Sequence, residues 1–307
     1  LCWWGRGGHT IRRAPFLVRY TFSMRRSVQI KGIVILILFA VTLCIGYVLA
    51  KGERRGLLTI SFLDVGQGDS IFIDTPSGRQ VLIDGGPNSG VLRKLARVSP
   101  WYDRSIDVII PTHPDADHIG GLIDVLDRYK VSTIVRSSVE GDTKTSQVLI
   151  DAIRQEGAQQ ITAKRGQIID LGKGVYLEIL FPDRNVAHIE TNTGCIVARL
   201  VFGDTAFMLS CDAPQNIENY LVSLGGAALR SNVLKAGHHG SKTSSALAFI
   251  GSVDPQFAVY SRGCKNKYGH PAPETTARFE QFNIPILDTC NEGTITFVSD
   301  GRTAWRR

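Results

Sequence analysis

The sequence is organised around residues 112–118, which read Thr112-His113-Pro114-Asp115-Ala116-Asp117-His118. An apolar run at 106–110 precedes them and predicts a buried strand, whereas residues 120–126 predict the start of a helix. Two imidazoles and two carboxylates therefore share one strand-to-helix turn, and such groups are costly to bury without a partner of high charge. The simpler interpretation is a solvated acidic turn with incidental histidines. This pattern directly after a buried strand instead favours half of a two-metal site.

The positive charge of the chain is concentrated at its N-terminus. The 307 residues carry a formal net charge of +7, but residues 1–56 hold ten basic residues and one acidic residue. Residues 57–307 are left with 25 basic and 27 acidic residues, a net charge of −2. The overall charge is therefore no argument for nucleic-acid binding by the domain.

Residues 32–50 form an uncharged run of 19 residues, close to the ~20 that span a bilayer. Basic residues flank it on both sides, which favours a transmembrane signal anchor over a buried core helix; a cleaved signal peptide is the alternative. Residues 1–31 are interpreted as a leader, disordered or wrongly started, with Met24 as a natural start. We expect the domain at 57–307 to lie outside the cytoplasm, anchored to the membrane through 32–50, or to be secreted after signal cleavage.

The six cysteines contain no Cys-x-x-Cys pair. Cys195 and Cys211 lie in apolar strand-like runs and are interpreted as small core residues. A single bridge between Cys264 and Cys290 stays open as a possibility.

Periodicity predicts β-hairpins mixed with single helices, in two comparable halves of the domain. Strands are expected at 57–63, 70–73, 80–83, 106–110, 132–135, 175–181, 195–201, 206–210, 233–234, 257–261, 284–288 and 293–298. Helices are expected at 89–98, 120–129, 145–156, 214–224, 244–250 and 273–281. This alternation indicates an α/β fold of two sheets packed face to face with helices outside.

Three later features are candidates to complete the metal site. Asp212 ends an apolar strand and is placed to bridge two cations, although an isolated Asp there is usually only a helix N-cap. His238 and His239 follow another apolar strand, where one imidazole could simply bond the backbone. His270 lies on a loop ahead of a helix.

Two cations about 3.5–4 Å apart polarise a phosphoryl group and lower the pKa of water towards neutrality. The carboxylates shift the preference from Zn²⁺ towards Mn²⁺ or Mg²⁺ without excluding Zn²⁺, so two Zn²⁺ or Mn²⁺ ions are expected and no organic cofactor. Asp84 is a candidate partner for a ligand imidazole. The candidate metal ligands are His113, Asp115, Asp117, His118, Asp212, His238 and His239.

These motifs resemble the metallo-β-lactamase superfamily and, within it, the hydrolase domain of ComEC-type competence proteins. The resemblance covers about Leu57 to the C-terminus. Besides residues 112–121, it rests on Phe62-Leu63-Asp64-Val65-Gly66-Gln67-Gly68-Asp69, Leu82-Ile83-Asp84-Gly85-Gly86, Asn192-Thr193-Gly194, Ser210-Cys211-Asp212, Lys235-Ala236-Gly237-His238-His239-Gly240-Ser241 and Tyr268-Gly269-His270-Pro271. The sequence carries one long apolar run in place of the many-helix channel of full ComEC proteins.

The resemblance implies a metallo-β-lactamase-like αββα four-layer sandwich with the metals at one edge between the sheets. His113 and Asp115 would hold one ion, Asp117 and His118 the other, and Asp212 would bridge. The third-motif histidine of the superfamily has no clear counterpart: Asn192 stands where it would fall, and His188 is nearby. Candidate catalytic residues are Asp117, Lys235, Ser241 and His270, the last three to steady the phosphate or leaving oxygen.

The expected function is metal-dependent hydrolysis of a phosphodiester, with DNA as the leading substrate. A hydrolase of a small or cell-surface phosphoester is the first alternative, because the domain is slightly acidic. A non-catalytic binding module at the membrane is the second. β-Lactam hydrolysis is disfavoured, because Asp115 replaces a histidine.

Overall fold

The computed structural model describes residues 1–3, 5, 16–52, 56–100 and 102–307. It divides into two units, Leu1–Arg55 and Gly56–Arg307. Part of the leader expected at residues 1–31, namely residue 4 and residues 6–15, lies outside the described residues.

The N-terminal unit contains one helix, α1 (Phe16–Gly52). Residues 16–31 therefore belong to this helix, which begins well before the apolar run at 32–50. Its apolar stretch, Val28–Val48, has 21 residues and is long enough to cross a membrane, a property that a signal sequence near the N-terminus shares.

The C-terminal unit is built from two sheets. The first holds eight strands, in the order β15-β14-β1-β2-β3-β4-β5-β6, and the second holds seven, in the order β13-β12-β11-β10-β9-β8-β7. The first-sheet strands are β1 (Leu58–Phe62), β2 (Ile71–Asp74), β3 (Gln80–Ile83), β4 (Ser105–Ile110), β5 (Lys130–Arg136), β6 (Gln159–Thr162), β14 (Ile295–Ser299) and β15 (Ala304–Arg306). The second-sheet strands are β7 (Ile168–Gly172), β8 (Val175–Phe181), β9 (Val197–Phe202), β10 (Thr205–Leu209), β11 (Val233–Lys235), β12 (Phe257–Tyr260) and β13 (Ile286–Asp288).

Helices cover the outer face of each sheet. They are α2 (Gly90–Val98), α3 (Ala116–Arg128), α4 (Lys144–Glu156), α5 (Gln215–Gly225), α6 (Leu247–Val253), α7 (Pro273–Gln281) and the short α8 (Thr289–Glu292). The predicted helices and strands all occur, with shifted bounds at several ends. The sequence pattern did not predict β6, β7, β15 and α8. All four are short, and the side chains of β6 and β7 are largely exposed.

Alternating side chains produce three apolar layers. On β4, Ile110 faces the core between the two sheets, whereas Ile109 faces the layer beneath α2, α3 and α4. A third layer lies between the second sheet and α5, α6 and α7, and includes Leu234 and Phe279. Because successive residues of a strand point to opposite faces, each buried sheet supplies two layers. The αββα four-layer sandwich is confirmed.

Two glycines allow α3 to lie close to the strand ends. A Cβ on Gly121 would be 2.1 Å from the backbone oxygen of Gly85, and a Cβ on Gly68, whose φ is +121°, would be 1.9 Å from that of Asp117. Only glycine fits such approaches. They hold the first turn of α3, which carries Asp117 and His118, against the neighbouring loops.

Candidate metal centre

The candidate site lies where the carboxyl ends of several strands meet. Strands β3 and β4 are parallel neighbours in the first sheet, and β10, β11 and β12 are parallel neighbours in the second. Their carboxyl ends therefore place Asp84, the 112–118 turn, Asp212, the His238-His239 pair and the His270 loop at one edge of the sandwich. This is why residues far apart in sequence converge.

Three buried imidazoles form the centre of the site. The ring centroids of His113 and His118 are 4.1 Å apart, and those of His118 and His239 are 5.2 Å apart. The Nε2 atom of each ring is buried and makes no hydrogen bond of good geometry. Unpartnered buried nitrogens are rare, and three around one point are suited to bind a metal cation.

The other ring nitrogen of each histidine is fixed by a partner behind it. His239 Nδ1 donates to the carbonyl of Ser261 (2.9 Å), and His118 Nδ1 donates to Asp84 Oδ2 (2.8 Å). Thr112 Oγ1 donates its proton to the same Asp84 oxygen (2.7 Å). The Thr112 hydroxyl oxygen therefore accepts the hydrogen bond from His113 Nδ1 (3.0 Å). In the neutral form of each ring, these partners select the tautomer whose Nε2 atom carries the lone pair, so that a metal cation can take the place of a proton there.

Asp212 lies on the Nε2 side of these rings. Its Oδ2 atom is 3.3 Å from the Nε2 of His118, 3.3 Å from that of His239 and 3.7 Å from that of His238. A carboxylate that faces several imidazole lone pairs is suited to share cations with them.

Asp115 and Asp117 lie at the open side of the site. Asp115 Oδ2 is 3.6 Å from His113 Nε2, and Asp117 Oδ2 is 3.4 Å from His239 Nε2. Their side chains are 39% and 32% exposed, so both could contact a cation and a substrate together.

Asp69 is a buried carboxylate that sequence reasoning missed. With His118, Asp212 and His239 it forms a group whose possible ligand atoms lie within 4.8 Å of one another. Yet Asp69 contacts the Nδ1 atoms, at 3.4 Å from His239 and 3.9 Å from His118, behind the rings. We therefore assign it to orienting the rings. Its position just before β2, at the end of the Gly66-Gln67-Gly68 turn, was the available signal.

Lys235 is fully buried beneath the site. Its ammonium pairs with Asp69, lies 3.4 Å from Asp212 Oδ1 and donates to the carbonyl of Cys211 (3.0 Å). The expected contact with a phosphate is not supported by this placement, because all three donors face the protein. The physical reason is that two buried carboxylates require a buried cation.

The remaining predicted residues take different positions. His238 is partly exposed, and its ring centroid is 5.6 Å from that of His270. Ser241 is buried and its hydroxyl bonds the Thr243 hydroxyl (2.9 Å), which lies 3.4 Å from His238 Nδ1, so Thr243 stands between Ser241 and that ring. His188 is 85% exposed and lies 3.5 Å from Glu140, whereas Asn192 carries a buried, unpartnered Oδ1. His188 therefore does not join the buried cluster.

Backbone strain is concentrated at the site. Four non-glycine residues there have positive φ: Asp84 (56°), Cys211 (53°), His238 (49°) and His239 (56°). This left-handed conformation costs roughly 1–2 kcal/mol per residue, so surrounding contacts must enforce it. Such strain is typical of functional sites.

The charges of the site are strongly coupled. Burial alone would lower the pKa of His118, but the Asp212 and Asp84 carboxylates raise it well above its usual value. Burial alone would raise the pKa of Asp69, but Lys235 and His239 lower it to about 2. Three buried carboxylates face one buried ammonium, so the remaining negative charge must be balanced by protons on the imidazoles or by metal cations. The residues present therefore fit a divalent metal.

The disulfides differ from expectation. Cys264 is paired with Cys290, the bridge left open above. Cys195 and Cys211 are buried, as predicted, and they are also paired with each other, which the sequence reasoning did not predict. The β9–β10 register pairs Ala198 with Leu209 and so brings the cysteines, which flank the hairpin, within 6.5 Å at their Cα atoms.

Curated relatives of the chain are competence proteins. It is 28% identical over 260 residues to ComE operon protein 3 of Bacillus subtilis (strain 168), covering 78% of this chain and 32% of the relative. It is 30% identical over 265 residues to competence protein ComA of Neisseria gonorrhoeae, covering 84% of this chain and 35% of the relative. Both are ComEC-type proteins, and the chain spans about a third of their length.

The fold also occurs in the solved structure of a diiron β-hydroxylase. CmlA, a diiron β-hydroxylase from Streptomyces venezuelae, aligns with 81% of this chain and 54% of its own, at a TM-score of 0.51 and 11% identity. At that identity the likeness shows the fold alone. Residues 63–263 match the sequence model of the metallo-β-lactamase superfamily, and the candidate site lies within this range except for His270. The chain therefore belongs to the metallo-β-lactamase superfamily.

Proposed function

We propose that the protein is a metal-dependent phosphodiester hydrolase that acts on DNA at the membrane. The observation that supports this most is the convergence of three buried, unpartnered Nε2 atoms around Asp212. Two divalent cations, Zn²⁺ or Mn²⁺, polarise a phosphoryl group and lower the pKa of water when they are bound.

We assign the ligand set as follows, with the distances between these groups as its support. His113 and Asp115 would hold one ion, and His118, Asp117 and His239 the other, with Asp212 shared between them. His238 approaches Asp212 from the exposed side. Asp84, Asp69 and Lys235 lie behind these groups and fix their orientation.

His270 is the residue we assign to the phosphate or the leaving oxygen. Burial, together with His238 and His239, lowers the pKa of His270 to about 4, so the ring is neutral near pH 7. Its Nδ1 is buried without a hydrogen-bond partner. A neutral ring can donate one hydrogen bond to a phosphoryl or leaving oxygen.

A recess beside the site could receive the part of the substrate next to the phosphate. Its volume is about 320 Å³, and it is lined by His113 and Arg136 together with apolar residues that include Val139 and Leu149. Arg136 forms no ion pair within residues 56–100 and 102–307, so its guanidinium is available for a phosphate.

The two disulfides support a location outside the cytoplasm. Disulfides persist mainly in oxidising compartments. Together with the apolar stretch Val28–Val48, they favour a domain that is anchored to the membrane and faces away from the cytoplasm, or one secreted after cleavage.

The test is a nuclease assay on the full chain in detergent, with single-stranded and duplex DNA and with Mn²⁺, Zn²⁺ or Mg²⁺ added. Metal-dependent cleavage that Asp212→Asn abolishes is expected. Retention of bound metal without cleavage of any DNA would overturn the proposal.

A small or cell-surface phosphoester is the second candidate substrate. The net charge of −2 on residues 57–307 favours it, because a polyanion gains no long-range attraction from such a domain. Turnover of small phosphodiesters with no turnover of DNA would select this alternative.

A further inference from the structure

An exposed aromatic ring lies beside the candidate site. Tyr268 is 56% exposed on the loop between β12 and α7. Its ring stacks on that of His270, with centroids 5.6 Å apart and planes at 24°. The His270 ring is in turn 5.6 Å from that of His238. Tyr268 is therefore separated from the candidate ligands by a single ring.

The loop that carries Tyr268 is held rigidly. Asn266 Oδ1 accepts hydrogen bonds from the backbone N–H groups of Tyr268 (3.2 Å) and His270 (2.9 Å), and its amide donates to the carbonyls of Gly263 and His270. The Cys264–Cys290 disulfide ties the base of the loop to α8. An aromatic ring held out to solvent on a fixed loop loses little entropy when it binds a ligand.

The same loop carries positive charge that the protein does not neutralise. Lys265 and Lys267 are exposed, and neither forms an ion pair within residues 56–100 and 102–307. Lys267 Nζ lies over the face of the Tyr268 ring, 5.2 Å from its centre, in an exposed cation–π contact that an incoming base would displace. The domain is slightly acidic as a whole, so this cationic, aromatic patch is a local feature.

We propose that Tyr268 stacks against an unpaired base of a single-stranded nucleic acid, with Lys265 and Lys267 on the adjacent phosphates. Aromatic rings combined with cations are the usual means of binding single strands, because every base has a π-face. In a duplex those faces are already stacked, so a strand end or an unpaired strand is the preferred ligand. The inference rests on the proposed phosphodiesterase function and names its substrate class.

Binding gives the first test and is independent of cleavage. The full chain in detergent is titrated, with chelator present, against a fluorescein-labelled single strand and its duplex, and anisotropy is read. Tyr268→Leu is expected to weaken single-strand binding by roughly ten-fold, whereas Tyr268→Phe, which keeps the ring, stays close to wild type. Lys267→Met is expected to reduce the slope of log K against log salt by about 0.7.

Kinetics with the metal-loaded protein separates stacking from support of His270. Stacking predicts that Tyr268→Leu raises KM for a single strand, leaves kcat unchanged, and has no effect on a strand with abasic sites around the cleaved bond. An equal loss of kcat on both strands would mean that Tyr268 only positions His270, and would overturn the inference.

The remaining outcomes are also decisive. Equal binding of single strand and duplex, or equal binding by wild type and Tyr268→Leu, overturns the inference even if DNA is cleaved. Selective single-strand binding that Tyr268→Leu weakens, without cleavage, upholds it and refutes the nuclease proposal instead.

Discussion

Asp84 holds two of the three central imidazoles in place, although it faces away from the proposed ions. Its oxygens accept hydrogen bonds from Thr112 N (2.8 Å), Thr112 Oγ1 (2.7 Å) and His118 Nδ1 (2.8 Å). Through Thr112 Oγ1 it also orients His113. A carboxylate in this position sets both the tautomer and the basicity of the ligand.

Asp84→Asn is therefore expected to reduce metal affinity by about 10–100-fold while the domain stays folded. The reason is that a neutral amide no longer accepts all three donors. Metal titration followed by calorimetry measures the effect. Asp127→Asn, the same change at an exposed position on α3, is the control; equal affinity in both variants would contradict the assignment.

Lys235 offers a second prediction for a single residue. Lys235→Met leaves Asp69 and Asp212 buried without their cation, so we expect it to reduce the free energy of unfolding by about 3–5 kcal/mol. Denaturant unfolding with chelator present measures it.

The matched control is Lys94→Met, which breaks the partly exposed pair with Asp64 (2.7 Å). Loss of such a pair is expected to cost under about 1 kcal/mol. Similar losses in the two variants would show that burial of Lys235 carries no special role.

At the level of elements, Glu218 links α5 to the loop before α6. It is fully buried, and its carboxylate accepts hydrogen bonds from the backbone N–H groups of Ser245 (2.8 Å) and Ala246 (2.7 Å). Burial raises the pKa of Glu218 to about 7, although these hydrogen bonds oppose the rise.

The raised pKa predicts that stability falls with increasing pH. The folded state retains the Glu218 proton to higher pH than the unfolded state, in which the pKa is about 4.5. The contribution of the Glu218 proton to the free energy of unfolding is thus fully present below pH 4.5. It is lost as pH rises through 7, by roughly 3 kcal/mol in total. The free energies of unfolding of wild type and of Glu218→Gln are measured at pH 5 and at pH 8. The stability of wild type relative to Glu218→Gln should be lower at pH 8 than at pH 5. A constant difference would refute it.

At the scale of the whole domain, the candidate site joins the two sheets at one edge of the sandwich. His113 and His118 come from the first sheet, and Asp212 and His239 from the second. Cations bound between them would cross-link the two sheets, and a ligand that binds only the folded state stabilises it.

Metal removal is therefore expected to lower the melting temperature of the domain. A cation at one hundred times its Kd contributes about 2.7 kcal/mol, which corresponds to roughly 5–10 °C for a domain of this size. Thermal unfolding with Mn²⁺ and with chelator checks this, with Asp212→Asn as the control that should show a smaller difference. An identical shift in both proteins would mean that metal binds elsewhere.

The sequence by itself determined the local elements, the sandwich architecture and the identity of nearly every polar residue at the site edge. Strand and helix periodicities depend on neighbouring residues, and polar groups such as Asp84 and Asp212 stand out directly after apolar runs. Short exposed strands such as β6 lack that signal.

Only the tertiary structure decided which side of each imidazole these groups face. Asp69 and Asp212 are both buried carboxylates at strand ends, yet one meets the Nδ1 atoms and the other the Nε2 atoms. Lys235 lies buried between these two carboxylates, and Cys195 is paired with Cys211, only because of the tertiary structure. These outcomes depend on how two separately formed sheets pack together, and no spacing within one strand encodes the distance between atoms on different sheets.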